Sequence, residues 1–272
     1  MKLSIIITTY KSPELLKVCL ESIQKDCSIS DKEIIVAESF SQEETRLMMQ
    51  EDFPEVKYFP FKENVGFGFL VRRAYANAKG DYILILNGDI IVKKDSIEKL
   101  LTLLENNSEI GLAGPKLLNF NETLQPSCFR FYTPLTILYR RTFLGRFPFA
   151  QKHLDRFLMK EIDHSQKQEA DWIMGSALMT SRKAIERVGL MDERFKMYFE
   201  DTDWCRRFWE KGYKVIYFPE AQMYHYHGKG SDSKSVWKSI FLNHLTWIHI
   251  ISAIKFFLKY AGKSNPRKKI NG

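Results

Sequence analysis

Residues 83–92 read Ile-Leu-Ile-Leu-Asn-Gly-Asp-Ile-Ile-Val, an apolar run, a polar turn and a second apolar run. The pattern predicts a buried strand that stops at the turn and resumes as another strand, leaving Asp89 at the carboxyl end of a core strand. Open α/β sheets bind their ligands at that edge. Around it, the first hundred residues alternate strand and helix signals. Strands are predicted at 3–8, 33–37, 56–60, 82–86 and 111–115, and helices at 42–50, 66–78 and 96–105. Another helix opens at Ser12, an N-cap with Pro13 at the first helical position, and carries Leu15, Leu16, Val18, Cys19, Leu20 and Ile23 at helical spacing. Repeated βα units of this length predict an α/β fold with a mostly parallel central sheet and helices on both faces.

Residues 119–170 break the alternation. Aromatic and basic residues crowd together there, Phe129, Arg130, Phe131, Tyr132, Tyr139, Arg140 and Arg141 among them, with Pro126, Pro134 and Pro148 between. Two readings stand side by side: a partly helical insertion packed on the domain, or an acceptor-side flap or membrane-facing surface. Strand and helix signals return at 171–180 and 182–188.

At 272 residues, 44% hydrophobic and 27% charged, the chain is globular and long enough for one large α/β domain or a domain and a half. Cys19, Cys27, Cys128 and Cys205 are widely spaced, form no metal-like pair and read as reduced thiols, which places the protein in the cytoplasm. The apolar run at the start ends without a small-residue cleavage site, so it is a first strand and not a signal peptide. The net charge of +8 matters through its placement. No acid follows Asp232, whereas Lys234, Lys238, Lys255, Lys259, Lys263, Arg267, Lys268 and Lys269 do. Trp237, Phe241, Trp247, Ile251, Ile254 and Leu258 lie among these cations. A domain at 1–232 is therefore expected to carry a basic, aromatic C-terminal helical tail at 233–272. That tail lies on an anionic membrane surface or packs on the domain. Its uncharged part is too short to span a bilayer. The same residues can pair two subunits as a homodimer, and nothing upstream supports nucleic acid as a partner.

Three groups carry candidate chemistry. Asp89 is the candidate metal ligand, with Asn87 adding a neutral oxygen or a water contact; the alternative is an ordinary turn carboxylate. Glu200, Asp201 and Asp203 open a helix that runs on through Trp204 and Phe208, and one of them is the candidate base. Ordinary capping also places carboxylates there. Of His225 and His227, at most one is expected to face a diphosphate site as metal ligand or phosphate donor, and His225 is favoured. Sugar transfer from a nucleotide diphosphate needs these parts: a cation to neutralise the leaving group, a base for the acceptor hydroxyl, and a grip on the nucleotide.

Taken in order along residues 3–232, these segments resemble the inverting family-two glycosyltransferases with the A-type fold, and among them the bacterial rhamnosyltransferases. The resemblance rests on residues 4–10 (Ser-Ile-Ile-Ile-Thr-Thr-Tyr), 33–41, 63–68 (Glu-Asn-Val-Gly-Phe-Gly), 87–89, 171–177 (Asp-Trp-Ile-Met-Gly-Ser-Ala), 189–195, 200–203 and the Pro219 segment leading to His225. It implies a Rossmann-like nucleotide-diphospho-sugar transferase fold with a nucleotide-sugar-binding half at 1–118 and an acceptor-binding, catalytic half at 119–232. It implies that Thr8, Thr9, Tyr10 and Glu38 border the nucleoside, that Arg73 approaches the diphosphate, and that Asn64, Gly66, Asn87 and Gly88 complete the nucleotide site. Asp89 and His225 are then the ligands of a divalent cation, Mg2+ or Mn2+. Asp201 is the base with Glu200 its partner, and Trp172, Gly175 and Asp203 shape the acceptor and sugar pocket. The chain departs from the family pattern at Glu38, where Asp is usual, at Gly88, where Pro is usual, and at residues 69–72. There Phe-Leu-Val-Arg replaces a frequent Gly-Gly-Asn-Asn.

The implied activity is transfer of rhamnose or a hexose from a dTDP- or UDP-sugar to a hydroxyl of a lipid-linked, cell-surface glycan precursor. The implied location is peripheral, at the inner face of the cell membrane. Two readings compete. A nucleotidyltransferase wants a Gly-rich loop after the first strand, and residues 8–12 contain no glycine. An inactive homologue that binds only glycan or a protein partner fits less well with the retention of Asp89, Asp201 and His225.

Overall fold

The computed structural model describes residues 1–226 and 244–269, with side chains for 247–267 only in the second segment. His227, Lys234, Trp237, Lys238, Phe241 and the boundary at 232 lie outside the described residues. In chain order, β1 (Leu3–Tyr10), α1 (Pro13–Asp26), β2 (Lys32–Ser39), α2 (Glu43–Glu51), β3 (Lys57–Phe61), α3 (Phe67–Tyr75) and β4 (Tyr82–Asn87) follow the predicted alternation. The β3-β2-β1-β4 block is parallel throughout. Ser12 does precede the first helix, but its hydroxyl bonds to Tyr10 O (3.0 Å) instead of capping it.

Beyond the Asn87–Asp89 turn come β5 (Ile90–Val92), α4 (Ser96–Asn106) and β6 (Ile110–Leu118). The residues that break the alternation form two short pieces, β7 (Leu124–Gln125) and β8 (Cys128–Phe129), then α5 (Pro134–Arg141) and α6 (Pro148–Phe157). Next are β9 (Gln168–Glu169), β10 (Trp172–Ile173), β11 (Ala177–Ser181), α7 (Arg182–Val188), α8 (Glu200–Glu210), β12 (Lys214–His225) and α9 (His244–Lys259). The sheet order is β3-β2-β1-β4-β11-β6-β12-β5. Six of these eight strands, β3, β2, β1, β4, β6 and β12, run the same way, as a mostly parallel sheet requires, and β11, between β4 and β6, and β5 at the edge run against them. The predicted strand at 171–180 is split, because residues 174–176 turn at the carboxyl edge of β4 before β11 starts back down the sheet.

Alternation along β1 explains the layers. Leu3, Ile5 and Ile7 pack with α1, α2 and α4 on one face, and Ile6 packs with α3, α7 and α8 on the other. All four cysteines are buried free thiols. Residues 69–72, where the chain departs from its family pattern, serve packing: Leu70 and Val71 are core, and Arg72 Nε reaches Glu193 (2.6 Å) while its Nη2 donates to Met191 O (3.2 Å).

The tail packs on the domain through α9. Ala253, Phe256 and Tyr260 form a small core with Phe195 and Phe199. Beneath it the fully buried Asp203 carboxylate accepts from Lys259 Nζ (2.5 Å), Tyr260 OH (2.8 Å) and Arg207 Nε (2.9 Å). Lys259 also pairs with Asp192 (2.7 Å), Ser252 Oγ bonds to Met197 O (2.9 Å), and Lys255 Nζ bonds to Arg194 O (3.1 Å). Burial makes this network costly to break. Lys259→Met is expected to lower the unfolding free energy by roughly 3–5 kcal/mol, measured by urea denaturation.

Candidate active site

The turn between β4 and β5 is held from two sides. Gly88 N–H donates to Thr8 O (2.8 Å) and Asn87 N–H donates to Ser176 O (2.9 Å). A Cβ on Gly88 would lie 2.8 Å from the Thr9 side chain, so glycine lets the turn close against β1. Asp89 follows at once. Its Oδ1 is buried without a hydrogen-bond partner and lies 3.4 Å from His225 Nε2. The two residues meet because β12 pairs antiparallel with β5, His225 opposite Ile90. On its other side His225 Nδ1 contacts Gln125 Oε1 (2.8 Å). An acceptor there calls for the proton on Nδ1, which leaves Nε2 as a lone pair facing a carboxylate oxygen. Two acceptors at that separation are reconciled by a cation between them or by protonation of the imidazole.

A divalent cation therefore fits these residues: a carboxylate and an imidazole oriented through its second nitrogen. Among the described residues no three His, Cys, Asp or Glu side chains converge on one point. Oxygens of a bound diphosphate would complete such a shell, as hard cations commonly accept.

The second carboxylate pair sits at the start of α8. Asp201 Oδ2 accepts from Gly175 N–H (3.0 Å), and Oδ1 accepts from Thr202 N–H (2.7 Å). Gly175 adjoins Ser176, whose carbonyl holds Asn87, so one short turn fastens both the Asp89 loop and Asp201. A Cβ at position 175 would come within 3.3 Å of both Asp201 Cβ and Phe67 Cε1. Tyr198 and Phe199, immediately before the pair, have φ of +66° and +69°. Bulky residues rarely sit in that region, and such strain persists only where packing over-determines it. Here α9 supplies the packing: Phe199 stacks against Phe256 (5.3 Å) and both Tyr198 and Phe199 meet His249 (5.0 and 5.3 Å).

Burial, with the Asp201 charge beside it, pushes Glu200 up to about 8, and burial also raises Asp201 against its hydrogen bonds. Glu200 Oε2 and Ser176 Oγ are buried without partners. With Asp89 Oδ1, three unsatisfied polar atoms therefore stand around one turn, the arrangement expected where a polar ligand completes the bonding.

The remaining site residues divide. Thr8 and Thr9 are buried at the end of β1 and Tyr10 is exposed, edge-on to Phe40 (5.8 Å). Asn64 Oδ1 accepts from Gly66 N–H (3.1 Å), and Gly66, at φ +85°, has Lys196 O 2.7 Å from where a Cβ would stand. These residues border the same sheet edge. Trp172 is buried, stacked on Phe129 (4.2 Å), and shapes the wall from behind. Glu38 and Asp203 are corrections. Glu38 is fully buried, with Thr45 and Tyr58 hydroxyls on its two oxygens, so the longer side chain is spent on packing and not shown to a nucleoside. Asp203 points away from the pocket into the α9 network. Arg73 lies in the last turn of α3 over the Phe59 ring (5.4 Å), at the helix end remote from Gly66. Sequence reasoning missed the Tyr132, Tyr198, Phe199 and His249 cluster behind Asp201; its aromatic crowding was visible, its convergence was not.

Because the folded state raises Glu200 from 4.5 to about 8, this group's stability contribution is complete below 4.5 and lost as pH rises through 8. Glu200→Gln is expected to remove that loss. Urea midpoints taken at about pH 5 and about pH 8 should diverge less for the variant than for the wild type.

Comparison with known proteins agrees with this geometry. The family model described as Glycosyl transferase family 2 matches residues 4–189. The N-acetylglucosaminyl-diphospho-decaprenol L-rhamnosyltransferase of Mycobacterium tuberculosis (strain CDC 1551 / Oshkosh) is 26% identical over 215 residues, 74% of this chain and 69% of that protein. Rhamnosyltransferase WbbL of Escherichia coli (strain K12) is 27% identical over 195 residues, 69% of this chain and 67% of that protein. A crystal structure of GalNAc-T7 with UDP, GalNAc and Mn2+ superposes with a TM-score of 0.62 at 15% identity, which shows the fold. It covers 83% of this chain, and the chain spans less than half of that larger protein, 44%. With the Asp89 turn, the α8 carboxylates and the sheet order all in place, the chain belongs to glycosyl transferase family 2.

Proposed function

We propose that this protein is a metal-dependent, inverting glycosyltransferase that moves rhamnose or a hexose from a dTDP- or UDP-sugar to a hydroxyl of a lipid-linked glycan precursor. One observation carries the reading. The turn at 174–176 fastens the Asp89 loop through Asn87 and holds Asp201 through Gly175, so a group for the leaving diphosphate and a base share one support. The two relatives named as rhamnosyltransferases support the sugar, and the diphospho-lipid in the name of one supports the acceptor class.

In this mechanism the nucleotide sugar lies along the carboxyl edge of β1 and β4, against Thr8, Thr9 and the Gly88 turn. Asp89 and His225 would hold a divalent cation, which would supply charge neutralisation for the leaving diphosphate. Asp201 removes the acceptor hydroxyl proton as that oxygen attacks the anomeric carbon from the face opposite the diphosphate, which inverts the configuration. Gly175 N–H and Thr202 N–H fix the direction of the carboxylate. Burial, with the Asp201 charge beside it, raises Glu200 to about 8.

The membrane surface belongs to the same reading. Trp247, Ile251, Ile254 and Leu258 form an exposed stripe along α9, 50%, 49%, 53% and 72% accessible. Leu135, Leu138, Phe143, Phe147 and Phe149 are exposed on the 134–157 insertion, with Arg140, Arg146 and Lys152 among them. Apolar residues set among cations suit an anionic bilayer. Among the described residues no helix is long and apolar enough to cross one.

Asp201→Asn is expected to lower turnover by about two to four orders of magnitude while dTDP or UDP affinity stays within twofold of wild type; wild-type turnover would refute the base. Asp89→Ala should weaken Mn2+-dependent nucleotide binding in calorimetry and leave the weak metal-free binding alone. Replacing Trp247, Ile251, Ile254 and Leu258 by Ser should abolish sedimentation with phosphatidylglycerol vesicles. If sedimentation persists and a dimer dissociates instead, the stripe is a subunit interface.

A further inference from the structure

Behind Asp201 lies a cationic cluster that the transfer chemistry does not use. Arg140 and Arg141 are adjacent at the end of α5, and among the described residues neither has a carboxylate within ion-pairing distance. Arg140 instead donates from Nη1 to Tyr132 OH (2.9 Å). Arg141 is partly buried, and burial together with the Arg140 charge pulls it below the ordinary guanidinium value. His249 of α9 joins them, 5% exposed, with Nδ1 buried and unpartnered. The same burial and both arginines push it down to about 3, so it is neutral. Tyr132 connects the cluster to the reacting groups, since its ring packs on Phe199 (4.7 Å) and Trp172 (5.5 Å).

Neighbouring guanidiniums without counter-charge repel each other, as the lowering of Arg141 by the Arg140 charge records, and partial burial strengthens that repulsion. Guanidiniums bind phosphate oxygens through paired N–H donors, so a bound phosphate would relieve the repulsion. Position decides which phosphate. The proposed donor diphosphate site is the Asp89 turn, whereas this cluster lies between α5 and α9, joined to the start of α8 through Tyr132 and Phe199, with His249 on the buried face of α9 opposite the exposed stripe. An acceptor whose phosphate is close to its reactive hydroxyl would present that phosphate here.

We propose that Arg140 and Arg141, with Tyr132 and His249 behind them, form a subsite for the phosphate or diphosphate of an anionic prenyl-linked acceptor. The inference rests on the glycosyltransferase reading above and names the acceptor's charge as a recognition element. The shared chemistry is a phosphate next to an apolar chain, which an anionic bilayer headgroup also offers.

The test uses full-length protein and the double variant Arg140→Ala, Arg141→Ala, with Arg140→Lys, Arg141→Lys as the charge-retaining control. Binding of farnesyl diphosphate, farnesol and dTDP or UDP with Mn2+ is measured by calorimetry, and phosphatidylglycerol vesicles by sedimentation. The expected result is a loss of about 10- to 100-fold in farnesyl diphosphate affinity for the Ala variant, partial recovery in the Lys variant, and farnesol unaffected. Equal farnesyl diphosphate affinity in all three proteins overturns the subsite. Lost vesicle binding with farnesyl diphosphate binding retained also overturns it and assigns the arginines to the bilayer. Nucleotide binding keeps the two ideas apart: if wild type binds no nucleotide, the glycosyltransferase reading fails, whereas normal nucleotide binding with an unchanged farnesyl diphosphate affinity sinks only the subsite. An Ala variant that unfolds early is replaced by the Lys variant and Arg141→Gln, whose affinities must still fall for the proposal to stand.

Discussion

The buried Asp203 carboxylate is the interaction on which the start of α8 and its packing with α9 depend. It lies two residues beyond Asp201 on the same helix, yet it faces the other way and gathers Lys259, Tyr260 and Arg207 around it. A lone buried charge there would be prohibitively costly, so α8 and α9 are obliged to stay together. Once they do, Phe256 covers Phe199, and the left-handed pair Tyr198–Phe199 is held in place. That strained entry sets where Glu200 and Asp201 emerge. The direction of Asp201 is thus decided by a salt-bridge network on the back of its own helix.

Unsatisfied polar atoms give an independent view of the site. Most buried polar groups in a folded protein are bonded. Asp89 Oδ1, Ser176 Oγ and Glu200 Oε2 are exceptions, and they lie on the three elements joined by the 174–176 turn. His249 Nδ1 is a fourth, behind the strained pair. A cleft of about 540 Å³ lined by Arg72, Asp192, Glu193, Arg194 and Lys259 is by contrast crossed by completed ion pairs.

Burial also separates two carboxylates that look equivalent in the chain. Glu200 and Asp201 are adjacent, and Asp201 accepts from the Gly175 and Thr202 N–H groups, which favour its charged form against the burial that raises it. Burial, with the Asp201 charge beside it, pushes Glu200 up to about 8.

By itself the sequence determined the elements and their order. Apolar runs of strand length marked β1 to β4, helical spacing marked α1 and α4, and the Asn-Gly-Asp turn marked the ligand edge, because each is a short-range pattern. The family motifs added expected roles for Asp89 and Asp201. Only the tertiary structure decided what distant segments do to one another. It set β11 antiparallel, brought His225 to Asp89 through β12 and β5, and turned Asp203 and Glu38 away from any ligand. It also packed α9, from a tail that reads either as lying on a membrane or as packing on the domain, against α8. The physical reason is that residue type and spacing fix a local preference, whereas burial, charge pairing and strain depend on neighbours supplied from far along the chain.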